Sequence, residues 1–393
     1  MNTVAVIGGG PAGAMAAAEM ASAGLRVTLF DEKLAWEKPC GGGVTFKAYH
    51  EYPFLVDNNV SKRTVRQTWI DAPDTTGARL DLDRPILIYA RRDLNQLLLD
   101  RAVRCGAGIE QARVLDIERD AGGRWSIRTR TGAAQADFCI VATGARNPLR
   151  SAGTEWTADD TMVALGYHMP SDQQHIDVAF LKGLEGYVWN FPRCGHSSVG
   201  ICGKGEAARA LRARLERYMV EHGMDPRQGQ FYAHMLPALA PRSWKRNRVQ
   251  GDGWLAVGDA AGLVDPITGE GIYYAIRSGD LAARAVVAER PETYAATIEC
   301  DFGGDLHLGS LLASRIYTGR FLFARIPTRM AQFTRYSPSF RAVMQDLFAG
   351  TQGYHDLGRR LWRNLAATLG ETAIRYLKCT FPNPKPYSNA PGS

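Results

Sequence analysis

The chain has 393 residues, of which 45% are hydrophobic and 22% charged, and its formal net charge is +7. This balance is typical of a folded globular protein, and the length is sufficient for two or three sub-domains that share one ligand. The modest charge and the absence of a dense Lys/Arg block argue against a nucleic-acid partner. The seven cysteines include no C-x-x-C pair, so we predict neither a disulfide framework nor a metal site.

The same features predict a cytoplasmic location. No apolar run approaches the roughly 18 residues of a membrane span, and the first strand begins almost at Met1, which leaves no room for a signal peptide. The odd number of cysteines is compatible with a reducing compartment. Contact with a membrane surface stays open, but we do not expect the chain to cross a membrane.

A glycine motif opens the chain. The apolar strand predicted at Val4–Ile7 leads into Gly8, Gly10 and Gly13, and an alanine-rich helix is predicted over Ala12–Ala23. The spacing fits G-x-G-x-x-G, whose glycines allow a tight turn, backbone approach to a pyrophosphate and close packing of helix on strand. The helix N-terminus offers unpaired N–H groups and a partial positive charge to that pyrophosphate. The motif therefore predicts a dinucleotide site.

An acidic residue ends the second predicted strand, Arg26–Asp31. Asp31 lies 18 residues past the last glycine, close to the position where an acid accepts hydrogen bonds from a ribose hydroxyl. Glu32 is the adjacent alternative, and a solvated charge at a strand end is the other interpretation. Because a carboxylate here would repel a 2′-phosphate, the site suits FAD or NAD rather than NADP.

A second glycine-rich loop spans Glu37–Thr45, with three consecutive glycines after Cys40. Such glycines permit close approach of the backbone to a ligand and positive φ angles, although a flexible loop would have the same composition. Cys40 is either a small packed residue or a reactive thiol.

The next region mixes strands and one helix. Residues 46–90 contain alternating stretches that predict strands of an inserted sheet. A helix follows from Arg91, whose side chain either reaches a cofactor phosphate or pairs with an acid. Three more strands are predicted at Glu110–Glu118, Arg124–Thr129 and Ala136–Ala142. The last strand runs into a turn at Gly144 and joins the first two strands in a parallel sheet, while the other two form a β-meander.

From about Ser151 to Val249 the pattern becomes β-rich, with an amphipathic helix at Glu206–His222. The predicted strands are Met162–Met169, His175–Leu181, Gly186–Phe191 and Ser197–Cys202. This pattern predicts a separate antiparallel-sheet domain that covers a substrate cavity.

The chain then returns to the nucleotide domain. A buried strand ends at Asp259, whose carboxylate needs hydrogen-bond partners such as a polyhydroxyl chain or backbone N–H groups. A loop with Gly269 and Gly271 opens the next helix, and its N-terminus favours a ligand with negative charge.

After about Arg290 the chain is predicted to be mainly helical, with many arginines, few acids and interleaved aromatic residues. This pattern is typical either of a solvated helical cap or of a surface that meets anionic lipid headgroups. The Pro/Asn/Ser-rich stretch 382–393 is predicted to be disordered.

We therefore predict an α/β fold, α+β overall, in which a Rossmann-like nucleotide domain is combined with an antiparallel sheet and a helical region. The predicted segments are 1–150 (nucleotide domain, with inserted strands 46–90), 151–249 (substrate domain), 250–290 (return to the nucleotide domain), 291–381 (helical region) and 382–393 (tail).

Four separated motifs together resemble the geranylgeranyl reductase family of FAD-dependent oxidoreductases, whose fold is like that of para-hydroxybenzoate hydroxylase. They are the opening glycines with Asp31, the Lys38–Gly43 loop, the Gly258–Ile272 segment, and Gly186–Pro192, which contains Tyr-x-Trp-x-Phe-Pro. The first and third motifs are shared with other flavoproteins, whereas the second and fourth are specific to the family.

The resemblance implies a role for each matching residue. The implied FAD-binding residues are Gly8, Gly10, Ala12, Gly13, Asp31, Cys40, Gly41, Gly43, Arg91, Val114, Asp259, Gly271 and Ile272. The sequence pattern adds Glu32, Gly144 and Gly269 as further candidate FAD-binding residues. Tyr187, Trp189, Phe191 and Pro192 are the implied lining of a cavity for an isoprenoid chain. Strand alternation places the three aromatic residues on one face, but a plain hydrophobic strand face would have the same pattern.

The implied reaction is reduction of C=C bonds in a geranylgeranyl or other isoprenoid chain, carried on a lipid, a quinone or a chlorophyll-type substrate. Cys40, Tyr187 and Trp189 are the predicted catalytic residues, with Cys40 and Tyr187 as candidate proton donors. The Asp-Gly motif of related hydroxylases is missing at Ala142–Gly144, although Arg150 could match the arginine that follows it. The reductant is therefore left open between NAD(P)H and an electron-donor protein such as a ferredoxin.

Two other interpretations remain. A flavin-dependent monooxygenase or halogenase would have the same scaffold, and for a halogenase Lys38 and Lys47 are the available candidates for a catalytic lysine. A prenyl-binding escort protein without turnover would also share the fold class, but it would not need intact FAD motifs.

Overall fold

The computed structural model describes residues 2–149, 152–154 and 156–380. Its strands are β1 (Thr3–Ile7), β2 (Arg26–Phe30), β3 (Gly43–Val44), β4 (Lys62–Asp71), β5 (Ala78–Tyr89), β6 (Gly108–Glu110), β7 (Val114–Arg119), β8 (Trp125–Thr129), β9 (Ala133–Ala136), β10 (Phe138–Val141), β11 (Thr161–Pro170), β12 (Ile176–Ala179), β13 (Gly186–Pro192), β14 (His196–Gly203), β15 (Gln230–Pro237), β16 (Gln250–Gly251), β17 (Trp254–Ala256), β18 (Arg320–Phe321) and β19 (Ala324–Arg325). Its α-helices are α1 (Pro11–Ser22), α2 (Phe46–Glu51), α3 (Arg91–Arg104), α4 (Ala208–Glu221), α5 (Pro241–Trp244), α6 (Ile272–Val287), α7 (Tyr294–Ile298), α8 (Gly304–Thr318), α9 (Ile326–Tyr336), α10 (Pro338–Ala349) and α11 (Tyr354–Thr380).

A six-stranded sheet in the order β16-β17-β10-β1-β2-β6 carries the opening glycine motif. Its strands are parallel except for β16, which is antiparallel to β17. Val4–Ile7 are buried in a core that they share with residues of α1 and of the strands β7–β9, which explains their unbroken apolar sequence. The sequence-based prediction of a parallel sheet is confirmed, and so is the β-meander, which is the three-stranded sheet β7-β8-β9.

An eight-stranded sheet in the order β15-β11-β14-β13-β12-β4-β5-β3 forms the second domain. It is antiparallel except where β4 runs parallel to β12. The strands predicted within residues 46–90 therefore belong to this sheet and are not a separate inserted one. Alternation in the sequence indicated half-buried strands but carries no information on which strands they pair with.

The two faces of this sheet pack against different parts of the molecule. On one face Leu165 and Val188 are buried in a cluster with α4. On the other face Trp189, Cys202 and Tyr232 form a separate cluster with Tyr187 and Phe191. Because side chains alternate along a strand, the Tyr-x-Trp-x-Phe residues all point away from α4.

The C-terminal region is helical, as predicted, with one exception. The long helix α11 packs against α8, α9 and α10. A short β-hairpin, β18-β19, interrupts the helices between α8 and α9. Among the described residues, no helix is both long enough and apolar enough to span a membrane.

Several predicted boundaries are wrong. The single strand predicted at Glu110–Glu118 is two strands, β6 and β7, and that predicted at Ala136–Ala142 is interrupted at Asp137. The Asp137 backbone N–H donates to the Thr3 hydroxyl, and the Asp137 carboxylate accepts from the Thr3 N–H. Asp137 therefore binds the start of β1 and does not continue a strand of its own. The sequence analysis also missed α2 and β15. Arg150, the Ser151 boundary and the 382–393 tail lie outside the described residues.

Candidate functional site

The opening glycines have different tasks in the turn between β1 and α1. Gly8 has a φ of +113°, and a Cβ atom there would lie 2.2 Å from the Ala142 carbonyl oxygen. A Cβ atom on Gly13 would lie 1.9 Å from the Gly8 carbonyl oxygen. A Cβ atom on Gly10, by contrast, would meet nothing within 4 Å. Gly8 and Gly13 thus allow close packing, while Gly10 faces the open space of a cavity and caps the N-terminus of α1.

Asp31 holds this glycine loop in place. One carboxylate oxygen accepts a hydrogen bond from the Gly9 N–H at 2.7 Å, and the other accepts from the N–H groups of Lys33 and Leu34. Glu32 lies 3.9 Å from Arg113 instead. The described contacts of Asp31 are therefore structural, and its role toward a ribose stays a prediction.

The three glycines after Cys40 are required by close packing. A Cβ atom on Gly41 would lie 2.7 Å from the Phe191 ring, and one on Gly43 would lie 3.1 Å from it. Gly42 has a φ of +84°, and a Cβ there would lie 2.1 Å from the Tyr89 carbonyl oxygen. The loop is therefore pressed against the Tyr-x-Trp-x-Phe strand and is not a freely flexible segment.

A buried arginine that the sequence analysis missed clamps the same loop. Arg193 is 1% exposed, and its guanidinium donates to the Glu37 carboxylate and to the Cys40 carbonyl oxygen. Glu37 also accepts hydrogen bonds from the N–H groups of Arg91 and Arg92 at the start of α3. Burial raises the pKa of Glu37, but Arg193 and these N–H groups outweigh it and lower the pKa below its usual value. In the sequence, the only signal for this buried arginine was its position directly after Phe191-Pro192.

Asp259 and Lys38 form an ion pair across the cavity wall, with Lys38 Nζ 2.9 Å from the Asp259 carboxylate. Burial raises the pKa of Asp259, but Lys38, with His234 and Arg91, outweighs burial and the pKa is lowered overall. The sequence analysis did not consider a lysine as the partner of Asp259.

Two buried nitrogen atoms at this part of the cavity have no hydrogen-bond partner among the described residues. They are Arg91 Nε and His234 Nε2, and both residues line the cavity. Burial, with Lys38 next, lowers the pKa of His234 to about 4, so the ring is neutral at pH 7. Because an unpaired buried polar atom is costly, both atoms point to a polar ligand in this space.

Cys40 lies in the cavity wall beside two arginines. Burial raises the pKa of its thiol, but Arg91, the Gly42 N–H and Arg193 outweigh burial and lower the pKa overall. The Gly42 N–H lies 3.3 Å from the Cys40 sulfur. A lowered pKa favours the thiolate, which makes the thiol more reactive but a poorer store of a proton at neutral pH.

Tyr187 and Glu270 meet at the loop that precedes α6. The Tyr187 hydroxyl donates to the Thr268 carbonyl oxygen, and burial raises its pKa well above 10. One Glu270 carboxylate oxygen accepts from the Thr45 hydroxyl at 2.8 Å. Burial raises the pKa of Glu270 to about 7, with the nearby Asp265 adding to the shift. The sequence analysis singled out the flanking Gly269 and Gly271 but missed Glu270.

One continuous cavity of about 700 Å³ joins these groups. It is lined at one end by Gly10 and Ala12, and in the middle by Cys40, Glu270 and the Tyr-x-Trp-x-Phe aromatics. Beyond them it extends between the sheet and the C-terminal helices, where the lining is mainly apolar and includes Phe180, Ile316, Met330, Phe333, Phe340 and Met344.

The cavity contains most of the predicted site residues. Those that line it are Gly10, Ala12, Cys40, Gly41, Gly43, Arg91, Gly144, Tyr187, Trp189, Phe191, Asp259, Gly269, Gly271 and Ile272. The predicted residues outside its lining are Gly8, Gly13, Asp31, Glu32, Val114 and Pro192. Val114 is buried at the first position of β7, and Pro192 is buried at the end of β13. Their predicted contacts with a ligand stay predictions.

Comparisons with known proteins agree with this architecture. The family model for pyridine nucleotide-disulphide oxidoreductases matches residues 2–160. The geranylgeranyl bacteriochlorophyll reductase-like protein of Thermoplasma acidophilum has a similar structure, with a TM-score of 0.76 at 23% identity over 92% of this chain and 99% of that protein. The fold is therefore that of FAD-dependent oxidoreductases.

Two curated relatives are similar over much of the chain. The menaquinone reductase of Mycolicibacterium smegmatis is 29% identical over 92% of this chain and 96% of its own length. The digeranylgeranylglycerophospholipid reductase of Methanothrix thermoacetophila is 30% identical over 72% of this chain and 77% of its own length. This chain belongs to the geranylgeranyl reductase family of FAD-dependent oxidoreductases.

The residues of the cavity fit FAD. A diphosphate at the start of α1 would meet the open side of Gly10 and the helix N-terminus. The unpaired Arg91 Nε is suited to a phosphate or flavin oxygen, and His234 Nε2 to a further polar group of the cofactor. The Cys40–Gly43 loop and the Gly269–Ile272 segment line the same cavity, and their predicted contact with the flavin stays a prediction.

Proposed function

We propose that this enzyme reduces C=C bonds of an isoprenoid chain with FAD as the resident cofactor. The observation that carries the proposal is the continuity of the cavity. The glycine loops that fit a dinucleotide open directly into an apolar channel between the sheet and the C-terminal helices. A long hydrocarbon chain matches such a lining, because burial of its apolar surface is favourable.

The relatives support an isoprenoid substrate. Their names include a menaquinone reductase, a digeranylgeranylglycerophospholipid reductase and a chloroplastic geranylgeranyl diphosphate reductase from Oryza sativa. These substrates share a prenyl chain and differ in the group that carries it. The similarity to the menaquinone reductase extends over 92% of this chain, so a prenylated quinone is the first substrate to test, followed by a geranylgeranyl lipid and a chlorophyll-type ester.

The reaction adds one hydride and one proton across a double bond. When bound and reduced, FAD supplies the hydride. An isolated alkene has no carbonyl to take up charge, so the protein must position the double bond closely, exclude water and hold a proton. The Trp189 and Phe191 rings form an apolar wall beside the Cys40–Gly43 loop, which suits positioning and water exclusion.

We propose Glu270 as the group that holds the proton. Its carboxyl group lines the cavity within the segment that would hold the flavin, and one oxygen is fixed by Thr45. A pKa of about 7 matches a general acid that works near neutral pH. Tyr187 is less suited because its hydroxyl proton is bonded to the Thr268 carbonyl oxygen. Cys40 is less suited because its lowered pKa favours the thiolate.

The geometry favours a reductase over a halogenase. A halogenase would need a lysine available beside the flavin. Lys38 Nζ is paired with Asp259 at 2.9 Å, and Lys47 Nζ lies 4.3 Å from the centre of the Tyr273 ring. Both candidate lysines are thus engaged in other contacts.

A substrate of this kind resides in a lipid bilayer, so we also propose peripheral contact with a membrane on its cytoplasmic side. The electron donor to FAD is either NAD(P)H or a donor protein such as a ferredoxin. Anaerobic bleaching of the flavin absorbance by NADH or NADPH, compared with reduced ferredoxin, distinguishes the two.

The direct test is an anaerobic assay with dithionite-reduced enzyme. We expect the mass of menaquinone or a geranylgeranyl compound to increase by two hydrogens for each bond reduced, with matching reoxidation of the flavin. Dithionite without enzyme is the control. Unchanged mass across a panel of prenylated quinones, lipids and chlorophyll-type esters would refute the proposal, and substrate-dependent oxygen uptake in air would support a monooxygenase instead.

A further inference from the structure

The β18-β19 hairpin has an unusual turn. Arg320 pairs with Arg325 and Phe321 with Ala324, which leaves Leu322 and Phe323 as a two-residue turn. The φ angles of these two residues are +47° and +65°. Two-residue hairpin turns with positive φ are dominated by Asn and Gly, because bulky side chains are strained in this conformation. The hairpin therefore presents two large apolar side chains at a position where they are costly to the fold.

Those side chains are exposed. Phe323 is 95% exposed, Leu322 40% and Phe321 38%. Exposure of a single apolar residue is ordinary, but a strained and exposed apolar hairpin tip indicates contact with another molecule or surface.

Arginines surround the tip. Arg320 donates to the Phe323 carbonyl oxygen at 2.8 Å, and Arg329 donates to the Leu322 carbonyl oxygen. Arg315 and Arg320 are exposed, and Arg325 is half-buried. The bonds of Arg320 and Arg329 to neutral carbonyl groups hold the turn in shape, and neither guanidinium group forms an ion pair with an acid in the described part of the chain. An apolar tip flanked by arginines is complementary to a bilayer with anionic headgroups.

The hairpin stands at the outer end of the cavity. Arg320 and Phe321 line this end on one side, and Leu361 and Trp362 of α11 line it on the other. Trp362 is 75% exposed. Since exposed residues line the cavity here, this end opens to the surface, and aromatic side chains stand on both sides of the opening. Aromatic residues of this kind are enriched at membrane interfaces.

We propose that the β18-β19 hairpin inserts its Leu322-Phe323 tip into an anionic lipid bilayer and so seats the opening of the cavity on the membrane. This inference rests on the proposed function, because an isoprenoid substrate would enter from the bilayer. The occupant is a bilayer and not a second copy of the chain, since the tip and the adjacent Phe321 together are far smaller than the roughly 800 Å² per partner of a stable protein interface.

The test is sedimentation with vesicles of phosphatidylglycerol and phosphatidylcholine, compared with vesicles of phosphatidylcholine alone. The informative variant is Leu322→Asn with Phe323→Gly, because Asn-Gly suits this turn and the hairpin keeps its shape. The matched control is Val220→Ser, which removes a 65% exposed apolar side chain from α4, on the sheet face away from the cavity. We expect the double variant to bind the anionic vesicles at least about tenfold more weakly and the control to bind like the wild type.

The arginines are tested separately. Arg315→Gln with Arg325→Gln is expected to weaken binding to anionic vesicles about tenfold, with little change on neutral vesicles. Equal binding by the wild type and the Asn-Gly variant would overturn the proposal. The proposal would also be overturned if the tip acted only in self-association. Analytical ultracentrifugation would then show a dimer for the wild type and a monomer for the Asn-Gly variant.

Turnover separates this inference from the proposed function. With a prenyl substrate dispersed in detergent, the Asn-Gly variant should reduce it at the wild-type rate, whereas reduction of the same substrate in vesicles should fall in parallel with binding. A wild type that binds anionic vesicles through the hairpin but reduces no prenyl compound would refute the proposed function and support the docking surface. A wild type that reduces detergent-dispersed substrate but does not bind vesicles would refute the docking surface alone.

Discussion

At its inner end the cavity is shaped by backbone, whereas at its outer end it is lined by side chains. The inner end depends on glycines that bring β1, α1 and the Cys40–Gly43 loop within contact distances. The outer end is formed by apolar residues of α9, α10 and α11 that face the eight-stranded sheet. At the inner end Gly8, Gly13 and Gly42 tolerate no added atom, but the apolar surface of the outer end can change residue by residue while remaining apolar.

This difference separates recognition of the cofactor from recognition of the substrate. A backbone surface with fixed N–H groups recognises one cofactor, because its donors cannot move. An apolar side-chain surface recognises a class of hydrocarbon by shape and is easily altered in length or width. We therefore expect mutations at the inner end to abolish folding or cofactor binding, and mutations at the outer end to change substrate preference.

The largest effect is expected from Gly13→Ala. The added Cβ would lie 1.9 Å from the Gly8 carbonyl oxygen, so the variant should lose about 3 kcal/mol of stability, at the upper end of over-packing costs. Gly10→Ala is the matched control, since its Cβ meets nothing within 4 Å and the φ of −71° suits alanine. Thermal unfolding measures the first effect, and FAD titration should show weaker binding in the folded Gly10 variant. Equal stability of both variants would contradict this division of roles.

The next largest effect concerns Glu270→Gln. The amide keeps an oxygen for the Thr45 hydroxyl but cannot donate the carboxyl proton, so the rate of C=C reduction should fall about 10²-fold or more. The rate of the wild type should also decline as pH rises through about 7, because Glu270 then loses its proton. Stopped-flow reoxidation of the reduced flavin across pH checks both points, with Glu221→Gln on α4 as control. A pH profile that is unchanged in the variant would assign the proton to another group.

A smaller effect is expected on cofactor retention in Asp259→Ala. The change removes a carboxylate from the cavity wall and leaves Lys38 Nζ without its partner at 2.9 Å. We expect FAD affinity to fall about 10- to 100-fold, the loss that corresponds to one hydrogen bond to a charged group. The measurement is flavin content after dialysis. Asp252→Ala, which alters an 86% exposed side chain, is the control, and full occupancy in the Asp259 variant would disprove its role.

The sequence predicted the glycine turns of the site better than its long-range side-chain contacts, for a physical reason. Glycine motifs report backbone geometry that is local in sequence, and so the sequence analysis singled out Gly10, Cys40 and Gly269, which line the cavity. Arg193 and Glu270 were missed because a buried ion pair and a raised pKa depend on residues far away in sequence. The membership of β4 in the second sheet was missed for the same reason, since a strand pattern does not specify its partner.

The smallest effect is expected from Gly358→Phe at the outer end. Gly358 lies on α11, lines the cavity, and would have nothing within 4 Å of an added Cβ. A phenylalanine should therefore project into the apolar channel, and replacing glycine inside a helix does not weaken the helix. Gly370→Phe is the matched control, because Gly370 lies on the same helix in open space but does not line the cavity. We expect the KM for a long prenyl substrate to rise about tenfold in the Gly358→Phe variant only. This rise corresponds to the loss of roughly two buried methylene groups of the substrate. The FAD content should be unchanged in both variants. Equal KM values for the two variants would place the hydrocarbon chain elsewhere, whereas a selective loss of long over short substrates would identify this end of the cavity as the part that measures chain length.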